Sequence, residues 1–169
     1  MDVGAAFAAL TATELGVPVI VARLLAAVVL GAVLGFDREY RERPAGLRTH
    51  ILVCLAAATF AVLTLELYAH MEAMQTEGPT SADPIRIIEA VTAGVAFLAA
   101  GSIIMSGGKV HGLTTGAGLW LAGAVGAACG IGAYPIAILA TIFGFITLAL
   151  VRFAERSMPK KGGSDDGDA

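Results

Sequence analysis

The chain has 169 residues, of which 57% are hydrophobic and only 15% charged, with a mean hydropathy of +0.79 and a formal net charge of −3. That composition excludes an ordinary soluble domain, and the acidic balance argues against nucleic acid, which calls for a basic face. The two cysteines, Cys54 and Cys129, lie inside apolar runs and read as small buried residues rather than a disulfide or metal pair.

Residues 1–18 hold no Lys or Arg, so they lack the basic region of an ordinary cleavable signal. A membrane crossing needs about 20 largely apolar residues. Residues 17–36 make a first one, carrying a single charge, Arg23. Its glycines Gly31 and Gly35 stand four apart, which lines one helix face with small residues and lets backbones approach.

The stretch from Asp37 to Arg48 then carries seven charges, four of them arginines. If the first helix runs on to residue 43, Asp37 with Arg41, Arg38 with Glu42 and Glu39 with Arg43 fall at the i,i+4 spacing that stabilises a helix past the lipid. Pro44 and Gly46 end it, and Thr49 is placed to cap the second helix. A solvated topology anchor needs fewer charges than this, so the density favours a paired network close to the membrane surface. Such a network suits an anionic group or a partner protein.

Residues 49–70 form a second crossing, with Glu66 and His70 one turn apart near its far end. Two ligands without a third make a weak metal site, and no metal or other cofactor is expected. Residues 85–106 form a third crossing, with Arg86 and Glu89 in its first turns.

Residues 112–151 contain no Asp, Glu, Lys or Arg. A single helix of that length would extend about 60 Å, twice the hydrocarbon thickness. Gly130, Gly132 and Pro135 punctuate its middle, so it divides into helices at 112–130 and 134–154. Gly112 with Gly116, and Gly126 with Gly130, repeat the four-residue spacing, which serves packing within one subunit or, alternatively, a subunit interface. Trp120 lies too deep for an interfacial aromatic belt and is expected to pack against the glycine-rich helices. Residues 157–169 read as a disordered cytoplasmic tail.

The fold class is therefore all-α: a polytopic bundle of five transmembrane helices over residues 1–156. With five crossings, Arg38, Arg41, Arg43, Arg48, Lys109, Arg152, Arg156, Lys160 and Lys161 all fall on one side. The positive-inside rule then puts the N-terminus outside and the C-terminus in the cytoplasm. No nucleophile–base set, phosphate-binding loop or zinc spacing is present, so catalysis is not expected.

Gly35-Phe36-Asp37-Arg38-Glu39-Tyr40, followed by Arg43-Pro44-Ala45-Gly46-Leu47-Arg48-Thr49-His50, resembles the signature of the MgtC/SapB family of bacterial inner-membrane proteins. Asp83-Pro84 with Arg86 resembles the family's entry to its third helix. Phe97-Leu98 with Gly101 resembles its Gly-Phe-Leu-Gly-Ala-Gly run, although Ala96 and Ala99 replace glycines. Gly112-Leu113-Thr114-Thr115 with Trp120 is similar to the motif that opens its fourth helix.

The resemblance implies a regulatory membrane protein tied to growth at low Mg²⁺ and to virulence or stress adaptation. It implies action on other inner-membrane proteins, such as the F-type ATP synthase or cation transporters; a small ion or solute channel is the alternative. Many members carry a cytoplasmic domain similar to ACT domains, and any function residing there is expected to be absent from this chain. Together with the charge pattern, the resemblance singles out Asp37, Arg38, Glu39, Arg43, Arg48, Thr49, Thr114 and Thr115 as one polar cluster, with Arg38 or Arg48 paired to Glu39. Gly31, Gly35, Gly101, Gly116, Trp120, Gly126 and Gly130 are expected to serve helix packing. The expected surroundings are the lipid bilayer, other membrane proteins and a second copy of the chain in a dimer.

Overall fold

In the computed structural model, which describes residues 13–74, 85–106 and 109–157, five helices account for most of the described residues. They are α1 (Val17–Tyr40), α2 (Leu47–Met74), α3 (Ile85–Gly101), α4 (Leu113–Gly130) and α5 (Tyr134–Ser157), with a short hairpin of β1 (Ile104–Ser106) and β2 (Lys109–His111) between α3 and α4. Four of them, all but α3, are long and apolar enough to cross a membrane. This is a membrane protein. The tail expected beyond Ser157 and the connection before Pro84 lie outside the described residues.

α4 is the centre of the bundle and packs against each of the other four helices. Its residues explain why: Gly116, Ala122, Gly123, Gly126, Ala128 and Gly130 are buried and small, so neighbouring backbones come close on several sides. A Cβ placed on Gly126 would lie 2.7 Å from the Cα of Cys54, and one on Gly130 would lie 2.6 Å from the Cβ of Ala61. Gly31 and Gly35 do the same for α1, against the first turns of α2: a Cβ on Gly35 would be 2.8 Å from the Cα of Leu47. These glycine pairs are spent within one chain. Cys54 and Cys129 are free and buried, and the Cys54 thiol donates to the Ala122 carbonyl at 3.0 Å.

Several helix ends differ from the sequence reading. α1 stops at Tyr40 rather than 43, because Glu42 turns into the left-handed region at φ 52°. The N–H of Arg43 then reaches the Arg38 carbonyl (3.0 Å) and that of Glu42 the Glu39 carbonyl (3.0 Å), the paired bonds that close a helix end. α3 stops at Gly101 rather than 106. The Ser102 hydroxyl takes the Ala99 carbonyl at 2.7 Å, and Met105 pairs with Val110 across the hairpin. At 17 residues, α3 extends only about 25 Å, short of the roughly 30 Å hydrocarbon core. The break within the uncharged run falls as expected: Gly132, at φ 83°, ends α4 with the same pair of bonds, Ala133 N–H to Ala128 and Gly132 N–H to Cys129.

Candidate functional site

The 41–46 connection and the N-terminus of α4 meet at one end of the bundle, and Arg38 joins them. Position 38 continues the buried face of α1 through Ala27, Gly31, Leu34 and Gly35, so its side chain enters the protein and is only 5% exposed. The guanidinium donates through Nε to the Ala45 carbonyl (3.3 Å). Through Nη2 it donates to the Pro44 carbonyl (3.3 Å) and to Oγ1 of Thr115 (2.6 Å). Thr115 Oγ1 in turn donates to the Pro44 carbonyl at 3.5 Å.

The loop is bent to make this possible. Glu42 and Ala45 both adopt positive φ, at 52° and 56°, where side chains other than glycine are strained by about 1–2 kcal/mol. That strain brings two consecutive carbonyls onto one guanidinium. Glu39 secures the other side of the loop, its Oε2 accepting the N–H of Leu47 at 2.9 Å. A carboxylate at a helix N-terminus satisfies an orphan donor and favours the helix dipole. Glu39 thus takes the capping role expected of Thr49, since α2 begins at Leu47, two residues earlier than read.

Of the residues singled out in the sequence, the structure brings together Arg38, Thr115 and the loop held by Glu39. Asp37 pairs with Arg41 at 2.9 Å, the one i,i+4 pair of the three expected that lies along the helix end. The Arg38–Glu42 and Glu39–Arg43 spacings lose their helical geometry once α1 ends at Tyr40. Arg43, Arg48 and Thr114 are exposed, and Thr49 is half-buried. Gly101 has open space where a Cβ would stand, so it packs against nothing. Trp120 is 54% exposed and lines a cavity of about 550 Å³ among α2, α3, α4 and the start of α5, with Gly123 in the same lining.

Three further residues emerge only with the fold. His50 is 1% exposed, beneath the Arg38 loop, and its Nδ1–H donates to the Gly46 carbonyl at 2.9 Å. Its Nε2 lies against Gly118, where a Cβ would come within 3.3 Å. At the opposite end of the bundle, Arg23 donates to the Gly130 carbonyl at 2.8 Å, a cation at the C-terminus of α4. Glu66 there accepts the N–H groups of Glu14 and Leu15, both at 2.9 Å. The sequence signal for His50 is its step along the buried α2 face to Cys54, Ala57, Ala58 and Ala61. No group of three or more His, Cys, Asp or Glu that could hold a metal ion occurs among the described residues.

The inward arginine, the bent loop behind it and the threonine on α4 coincide with the motifs that the sequence shares with a known family. The family model described as the MgtC family matches residues 24–157. The chain belongs to the MgtC family. Curated MgtC relatives named "Protein MgtC" include one from Brucella abortus, 40% identical over 129 residues, or 76% of this chain and 50% of that protein. One from Salmonella choleraesuis is 37% identical over 145 residues, 86% of this chain and 58% of that protein. One from Salmonella paratyphi A is 40% identical over 131 residues, 78% and 52% respectively. The chain thus spans about half the length of the MgtC relatives it matches. No solved structure matches it.

Proposed function

We propose that this chain is a multi-pass regulatory protein of the bacterial inner membrane. It supports growth at low Mg²⁺ and adaptation to stress or a host by acting on other membrane proteins, the F-type ATP synthase or a cation transporter among them. The observation that carries this reading is the built charged end. Arg38 is turned inward and hydrogen-bonded, while Arg41, Glu42 and Arg43 on the connection and Arg48 in the first turn of α2 stay exposed beside it. Exposed cations on a fixed frame suit docking to another protein at the membrane surface better than passage of an ion.

The interior supports the same choice. The buried polar side chains among the described residues are Arg38, His50, Thr115 and Thr141, and each hydrogen-bonds to protein. A conducting path would instead line a pore with carboxylates or free carbonyls. Purified protein in liposomes is therefore expected to move neither Mg²⁺ nor K⁺ above the rate of empty vesicles. Saturable, protein-dependent flux would replace the regulator by a transporter.

The orientation belongs to the same proposal. The Arg38 end, which collects the C-terminus of α1 and the N-termini of α2 and α4, faces the cytoplasm. A reporter active only in the periplasm, fused after Pro159, is expected to be silent, and one fused before Val17 to be active. The reverse pattern would invert the protein and move the charged end away from cytoplasmic partners.

A further inference from the structure

α3 is thinly supported on one side: it packs chiefly on α4 and only lightly on α2. Between α2 and α3 alone runs an open groove of about 590 Å³. Its walls are apolar: Phe60, Leu63 and Leu67 on α2 face Ala90, Gly94 and Leu98 on α3. Gly94 leaves a bare place in it, with nothing within 4 Å of where a Cβ would stand. One charged residue lines the groove, Arg86, in the first turn of α3 at the end opposite the Arg38 loop.

We infer that this groove holds one phospholipid of the leaflet opposite the Arg38 end, with its phosphate on Arg86 and an acyl chain laid along α2 and α3. The dimensions suit that occupant. From Arg86 to Leu98 the helix rises about 18 Å, against about 15 Å for one leaflet's half of the hydrocarbon core. A phosphodiester matches an exposed guanidinium in charge and geometry. The N-terminal turn of α3 adds partial positive charge at the same place. A lipid tail also supplies the contacts that α3 lacks on this side, and conforms to a groove too open for close helix packing.

Native mass spectrometry of the full chain, extracted in mild detergent from vesicles of phosphatidylethanolamine and phosphatidylglycerol, tests this directly. Wild type is expected to retain a single phospholipid through detergent exchange. Arg86→Gln should weaken retention by about tenfold, the effect of losing one charge-assisted phosphate contact. Gly94→Leu, which fills the groove and has room to do so, should abolish retention while leaving the melting temperature in detergent unchanged. Lys109→Gln, a cation in the hairpin next to the N-terminus of α4, should leave the lipid in place. Lipid retained equally by Arg86→Gln and Gly94→Leu would overturn the proposal. So would a wild type that carries no lipid, or one in which a second copy of the chain, released by Gly94→Leu, occupies the groove.

Discussion

Arg38→Ala should abolish stable accumulation of the protein in the membrane, whereas Arg48→Ala should leave it close to normal. Both arginines stand in the same charged stretch, and the sequence reading places both in one polar cluster. Their surroundings separate them. Truncating Arg38 removes the donor to two carbonyls and a threonine hydroxyl at a site only 5% exposed. A buried acceptor left without a partner costs about 1–3 kcal/mol and a part-buried carbonyl less, so with one buried bond and two part-buried ones the sum is roughly 2–3 kcal/mol. It also releases a loop already strained at Glu42 and Ala45. Arg48 is exposed, and such a substitution changes stability by under about 0.5 kcal/mol. Thr115→Val, which deletes one partner, should fall between at roughly 1–2 kcal/mol. Thermal melting of detergent-purified variants, read beside membrane levels, provides the comparison; equal melting temperatures for Arg38→Ala and Arg48→Ala would dismiss the inward arginine as a structural element.

Gly126→Leu is expected to prevent assembly of the bundle. A Cβ there already lies 2.7 Å from the Cα of Cys54 and closer still to its carbonyl oxygen. Because the obstacle is backbone, no rotamer change on α2 relieves it, and the two helices must separate. Overpacking that a core can absorb costs about 1–3 kcal/mol, and this case exceeds that range because α4 touches every other helix. Gly101→Ala should be within about 0.5 kcal/mol of wild type, since a Cβ there meets open space. Both variants have the same sequence logic, a glycine in an apolar helix. A monodisperse Gly126→Leu protein with a wild-type melting temperature would show that α2 and α4 do not pack as described.

How far the sequence could be read follows from the physics of each signal. The breaks at Pro44–Gly46 and Gly130–Pro135 were legible because proline and glycine act locally. The end of α1 was not, since a glutamate in the left-handed region at position 42 leaves no mark on composition. The hairpin was hidden because Ile104 and Met105 are as apolar as a helix interior. Whether an arginine points in or out depends on which face its helix buries. Arg38 continues the Gly31–Gly35 stripe and turns in; Arg48 stands two residues from buried His50, on the far side of α2. Charge density alone weighed the two equally. The same holds for Trp120, whose depth along α4 does not tell which way it faces and which is 54% exposed.

The small residues that put α4 at the centre also give its spanning segment the lowest mean hydropathy of the four long helices, 1.3 against 2.5 for α1, 2.1 for α2 and 2.2 for α5. A segment so rich in glycine and alanine partitions weakly into lipid during synthesis, and its attractive surface is other protein rather than acyl chains. α1 and α2, joined by the Arg38 loop, precede α4 in the chain, and α2 presents the small face at Cys54, Ala58 and Ala61 on which the α4 glycines pack. Chain order thus makes the helical hairpin available before the segment that completes the bundle, and the Arg38–Thr115 bond requires both.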